Sequence, residues 1–180
     1  YLIIAVIILL IIIIAIYNSL VRKRNNLESA WANIDVQLQR RFDLIPNLVE
    51  TVKAYAKHEK ETFERIAELR NLFNKASSPK EIEKIDLEMN TALKRLFALA
   101  ENYPDLKANA NFLMLQESLE GTENRIAYSR NNYNHLVMIY NTAIQTFPGM
   151  WIAKPFGFKK KEFFEVEASE IREAVKVNLS

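Results

Sequence analysis

Residues 2–16 read Leu-Ile-Ile-Ala-Val-Ile-Ile-Leu-Leu-Ile-Ile-Ile-Ile-Ala-Ile, fifteen aliphatic side chains without a break, framed by Tyr1 and Tyr17. As a helix, the stretch from Tyr1 to Tyr17 spans roughly 25 Å, near the short limit for a bilayer core, and residues upstream would lengthen it. Thirteen of the fifteen are Ile, Leu or Val. At about 0.3–0.6 kcal/mol each, they favour insertion by about 4–8 kcal/mol. A cleaved signal peptide has an apolar region of similar length, but Ala15-Ile16-Tyr17 is not a small-x-small cleavage pattern. The expectation is a retained transmembrane anchor at 1–17. Arg22, Lys23 and Arg24 flank its C-terminal end, and the positive-inside rule places the large domain in the cytoplasm.

Beyond the anchor, one apolar phase runs from residue 20 to residue 75. Leu20, Leu27, Ile34, Leu48, Tyr55 and Leu69 lie on one seven-residue series, and Trp31, Leu38, Ile45, Val52, Ile66 and Phe73 on a second. This 3-4 alternation suits a helix with one buried stripe. Pro46 interrupts it, and two readings stay open: Asp43 caps a new helix with Pro46 in its first turn, or one long helix bends at Pro46. Ser77-Ser78-Pro79-Lys80-Glu81 is a stop and restart, with Ser78 as N-cap, Pro79 at N1 and Glu81 at N3. Ile82, Ile85, Met89, Leu93, Leu96 and Leu99 then face inward. After Glu101-Asn102-Tyr103-Pro104-Asp105, a last helix shows Leu106, Ala110, Leu113, Leu119, Ile126, Tyr133, Tyr140 and Phe147, ending at Phe147-Pro148-Gly149. Gly121 inside it costs about 1 kcal/mol against Ala and marks a local bend or a close helix crossing. The tail from Met150 has little periodicity, with Phe163, Val166 and Ile171 as candidates to pack back. The fold class expected is all-α: a transmembrane helix, then an antiparallel bundle of about four long helices. The divisions are 1–17 anchor, 18–149 bundle and 150–180 aromatic and basic tail.

Composition supports helices. There are 3 Gly in the chain and the first is Gly121, so no Gly-rich phosphate loop precedes it. The absence of Cys excludes disulfides, thiolate metal sites, cysteine nucleophiles and lipoprotein-type acylation. Lys+Arg 24 against Asp+Glu 22, with signs mixed throughout, argues against a nucleic-acid partner. Of the two histidines, His58 lacks a second ligand four residues on, where Thr62 stands, and His135 has no partner at helical metal spacing. No catalytic grouping, cofactor site or metal site is expected.

Three features invite a role. Arg41 falls on the apolar heptad series, and a buried charge needs a partner. Arg40 or Arg41 is expected to pair with Glu117, Glu120 or Glu123 of the last helix; the alternative is that Arg41 snorkels to solvent. Tyr133-Asn134 and Tyr140-Asn141 stand one heptad apart, either as an interaction ladder or as stripe tyrosines with flanking asparagines. In the tail, Trp151, Phe156, Phe158, Lys159, Lys160 and Lys161 interleave rings with cations, as suits a bilayer interface, together with Arg22, Lys23 and Arg24. The alternative is that these rings cover the bundle end. If Pro46 separates two antiparallel helices, four passes return this tail to the membrane side; if Pro46 only bends one helix while Pro104 is a turn, the tail lies at the far end.

Several segments resemble the LemA family: Tyr17-Asn18-Ser19-Leu20-Val21 with Arg24-Asn25, Ala30-Trp31, Asp35-Val36-Gln37-Leu38, Arg40-Arg41, and Asp43-Leu44-Ile45-Pro46-Asn47-Leu48-Val49-Glu50-Thr51-Val52. So do Ala100-Glu101-Asn102-Tyr103-Pro104, Leu106-Lys107-Ala108-Asn109, Thr122-Glu123-Asn124-Arg125-Ile126-Ala127, Tyr133-Asn134, Tyr140-Asn141 and Phe147-Pro148. The similarity covers residues 17–165 in the family's order. It implies a bacterial inner-membrane protein with one N-terminal span and a bundle of about four helices, and no enzymatic activity or cofactor. Some relatives are associated with building magnetosome membranes, so the resemblance suggests membrane shaping. The resulting expectation is a non-enzymatic, self-associating scaffold whose partners are the lipid bilayer and further copies of itself. The alternative is an adaptor for a membrane-bound protease or signalling complex, with a membrane protein as partner.

Overall fold

The apolar stripe that begins at Leu20 is carried by the longest helix in the computed structural model, which describes residues 1–76 and 78–164. Helix α1 covers Leu2–Lys53 and includes both the apolar segment and the first arm of the bundle. Its first part is exposed, and it alone among the described helices is long and apolar enough to cross a membrane. From Leu20 on, one face is buried through Leu27, Ile34, Leu38, Phe42, Ile45, Leu48 and Val52.

Pro46 lies inside α1 and ends nothing. A proline in a helix interior costs about 3 kcal/mol, but Ile45 and Leu48 on either side are fully buried and hold the helix in place. Asp43 is not a cap; it accepts a hydrogen bond from Gln39 Nε2 at 2.9 Å on the exposed face. The break comes later, at Ala54–Glu59, with neither Gly nor Pro. The Tyr55 and Ala56 amides both donate to the Val52 carbonyl, closing the turn over the buried Ala56. Asn109 Nδ2 donates to Tyr55 Oη at 3.0 Å and ties the turn to the rest of the bundle. The apolar phase read over residues 20–75 therefore belongs to two antiparallel helices.

The second is α2, Lys60–Phe73, which buries Phe63, Ile66, Leu69 and Phe73. Its last ring stacks on Phe42 of α1 at 3.9 Å. Helix α3, Pro79–Ala100, starts in a full capping box: the Glu81 amide donates to Ser78 Oγ and the Ser78 amide to the Glu81 carboxylate. The last helix divides. A single turn, α4 (Pro104–Lys107), buries Leu106, and α5, Ala110–Gln145, begins anew with Asn109 capping the Phe112 amide at 3.1 Å. That restart shifts the register, so Phe112 and Leu115 are buried and Leu113 is 49% exposed. From Leu119 onward Ile126, Tyr133 and Tyr140 face inward.

Four passes, α1, α2, α3 and α5, thus return the chain to the level of the anchor. A short α6, Gly149–Ala153, follows. Gly149 is required there, because a Cβ would run into the Ala143 carbonyl oxygen. Among the described residues there is no strand. Val166 and Ile171 lie outside the described residues. Phe164, not Phe163, packs back: it is 3% exposed against 52% for its neighbour.

Candidate membrane-facing site

The end of α5 and all of α6 pack beside the last turns of the apolar segment. Ala15, Ile16, Ser19, Leu20 and Lys23 of α1 share a cleft with Ala143, Thr146, Phe147, Pro148 and Gly149. Around it Phe147, Trp151 and Phe156 are 68%, 67% and 57% exposed, the first two edge to face at 4.9 Å. Phe156 lies 4.9 Å from the Tyr17 ring. Phe158 is half-buried, between Tyr17 at 5.8 Å and the Arg24 guanidinium at 5.5 Å, so it covers the bundle end while the other rings stay open. Arg22 and Arg24 are exposed and Lys23 half-buried at the same level. An aromatic edge with cations at the end of an apolar span is the arrangement that headgroups accommodate.

Lys159, Lys160 and Lys161 are exposed on an extended segment laid along α5. The two Tyr-Asn pairs hold it. Asn141 Nδ2 donates to the Lys161 carbonyl at 2.8 Å and its Oδ1 accepts from the Lys161 amide at 2.9 Å. Asn134 does the same for Phe164, at 2.9 and 2.7 Å. Tyr140 Oη donates to the Lys159 carbonyl at 3.1 Å and Tyr133 Oη to that of Glu162 at 3.3 Å. Burial pushes both phenols above their ordinary value. The register follows from geometry: seven residues of helix rise roughly 10.5 Å and three of extended chain roughly 10 Å. Each asparagine thus offers its amide as a strand neighbour would, one heptad apart. Phe164 is clamped further between Trp31 at 5.9 Å and the Arg130 guanidinium at 4.6 Å. Lys80 reaches Glu162 at 3.0 Å from the start of α3.

Deeper in the bundle, Arg41 is 4% exposed and joins three helices. Its Nη1 lies 3.1 Å from Asp86 of α3 and 2.6 Å from Glu123 of α5, and Nη2 donates to Asn90. Arg130 of α5 also pairs with Asp86. Burial raises the Asp86 carboxyl above its ordinary value, and the Arg41 and Arg130 charges oppose it. Arg41 does not snorkel. Arg40, Glu117 and Glu120 stand outside this cluster on exposed faces, since one residue turns a helix by about 100°. Glu120 instead accepts from Gln116 at 3.2 Å. Asp86, Asn90 and Arg130 were not singled out by sequence; one buried Asp among 22 acidic residues carries no local mark.

His58 and His135 are both exposed. Among the described residues no grouping of three His or carboxylate side chains could hold a metal ion. What the geometry defines is a helical bundle carried on an apolar anchor helix, with an aromatic and basic edge at the anchor's end.

The comparisons give that class its family. The chain belongs to the LemA family, matched over residues 30–179. It is 26% identical to the magnetosome protein MamQ of Magnetospirillum gryphiswaldense over 82% of its own length, and 26% identical to MamQ 2 of Paramagnetospirillum magneticum over 83%. It spans 64% of the length of either relative. It is 29% identical to the LemA protein of Metamycoplasma hominis, covering 91% of this chain and 74% of that one. The N-terminal apolar helix and this kinship point to a membrane-anchored protein.

Proposed function

We propose that this chain is a non-enzymatic scaffold of the bacterial inner membrane, which self-associates and organises or shapes the bilayer it is anchored in. One observation carries the reading: the fold brings Phe147, Trp151 and Phe156, all exposed, to the level of Ala15–Tyr17, where the apolar span ends. A bundle that merely hung from its anchor would have no reason to gather open rings there. Held so, the rings enter the headgroup layer and Arg22, Arg24 and Lys159–Lys161 meet anionic lipid. The same basic residues favour a cytoplasmic bundle.

Reconstitution of the full chain into liposomes, followed by electron microscopy, tests the reading. Ordered coats, tubules or deformed vesicles are expected; smooth vesicles carrying isolated particles would refute it. Charge reversal at Lys159, Lys160 and Lys161 to Glu should abolish the preference for anionic over neutral lipid. Unchanged remodelling of both lipid types would remove the tail from the mechanism.

A further inference from the structure

Gly121 stands in the interior of α5, where the loss of Ala costs about 1 kcal/mol, and nothing among the described residues accounts for it. A Cβ at this position would meet no atom within 4 Å. The same face of α5 carries, one turn either side, Glu117 and Arg125, both exposed and neither in an ion pair among the described residues. Two turns either side stand Met114, 59% exposed, and Tyr128, 76% exposed. All five fall within about 40° of one line along the helix, counting 100° per residue. The spacing is symmetric about Gly121: 117 and 125 are each four residues away, 114 and 128 each seven.

We infer that α5 pairs with α5 of a second copy, antiparallel, about a two-fold axis at Gly121. A two-fold contact places residue i beside residue j and j beside i. Here it puts Glu117 level with the partner's Arg125, twice, and Met114 level with the partner's Tyr128, twice. Glu117, Gly121 and Arg125 run in one line through the crossing point, and a nearly aligned antiparallel pair keeps both the charged pairs and the Met114–Tyr128 pairs within reach. The missing side chain at 121 allows the two backbones to approach where they cross. A parallel pairing would instead set Glu117 against Glu117 and Arg125 against Arg125. The charge pattern selects the antiparallel one.

This rests on the self-association in the proposed function and adds its direction. Helix α1 carries the anchor and runs antiparallel to α5, as the contacts of Trp31 with Tyr133 and of Arg41 with Glu123 require. In an antiparallel pair the two anchors leave at opposite ends, so the pair joins two facing stretches of bilayer and shapes the membrane by holding them at a fixed distance. Gly121 is level with a point some 26 residues of helix beyond Tyr17, about 40 Å, so the facing surfaces stand about 70–80 Å apart.

The chain has no cysteines, so single-cysteine variants of this chain, anchor included, read the register directly in detergent. Gly121→Cys should form a disulfide dimer under mild oxidation, and Met114→Cys should cross-link with Tyr128→Cys but not with itself, since two copies of position 114 stand about 20 Å apart. Glu117→Arg should lower the Met114–Tyr128 cross-linking at least ten-fold, and Glu117→Arg with Arg125→Glu in one chain should restore it. Self-cross-linking of Met114→Cys, or indifference to the charge variants, would overturn the pairing. An oligomer by light scattering without these cross-links overturns the α5 interface and leaves self-association standing; a monomer overturns both. Proteoliposomes bearing the protein should dock with a gap of about 70–80 Å by cryo-electron microscopy. Failure to dock despite antiparallel cross-links would overturn the bridging.

Discussion

Truncation of Asn141 to Ala removes two hydrogen bonds at once, the donation to the Lys161 carbonyl and the acceptance from the Lys161 amide. Each is worth about 0.5–1.5 kcal/mol net, so the local cost is about 1–3 kcal/mol. At 1.36 kcal/mol per decade, opening of the strap around Lys161 should become roughly 5-fold to 150-fold more frequent. The bundle itself should not unfold, because the core residues of α1, α2, α3 and α5 are untouched. Amide hydrogen exchange resolves the difference: the Lys161 amide should lose protection by that factor. The Phe112 amide, capped by Asn109 at the other end of α5, should exchange as before. Asn141→Asp keeps an acceptor for the Lys161 amide but faces the Lys161 carbonyl with an oxygen, so it should also open the strap. Asn134→Ala combined with Asn141→Ala should raise exchange at both the Lys161 and Phe164 amides, while Tyr133, Tyr140 and the buried Phe164 ring still hold the segment to α5. Parent-like exchange at Lys161 in Asn141→Ala, within two-fold, would refute the pairing of side-chain amides with the strap backbone.

Arg41→Met leaves Asp86, fully buried, with Arg130 as its remaining cation, and breaking a buried pair costs about 3–5 kcal/mol. The melting temperature should fall by on the order of 10 °C; a change within 2 °C would show that the cluster is not what holds α1, α3 and α5 together. Glu123→Gln should cost far less, about 1 kcal/mol by urea denaturation, because that side chain is 40% exposed and solvent screens it. Gly149→Ala forces α6 away from the Ala143 carbonyl, at about 1–3 kcal/mol, and limited proteolysis should reveal new cleavage between residues 149 and 158. Phe147→Ser with Trp151→Ser should leave the melting temperature within about 2 °C, since both rings are exposed, while reducing vesicle deformation.

The sequence by itself determined whatever is written in neighbouring residues. Fifteen aliphatic side chains in a row define the anchor, and Ser78-Pro79-Lys80-Glu81 encodes its capping box, because helix-start chemistry acts over three or four residues. The repeating Tyr-Asn pairs and the charge at Arg41 stood out in the sequence, but it left open whether the pairs formed a ladder and whether Arg41 paired or snorkelled. Tertiary structure decided both. The α1–α2 break falls at Ala54–Glu59 because the buried Ala56 and the Asn109–Tyr55 bond hold it there; Pro46, the local breaker, is overruled by the packing of Ile45 and Leu48. The register of α5 was reset by Asn109 in a way that the apolar spacing did not reveal. Asp86 is chosen from among the carboxylates only because α3 brings it beneath two guanidiniums. The partners of Asn134 and Asn141 are main-chain groups, which every residue possesses, so no side-chain pattern could mark residues 159–164 as their strap.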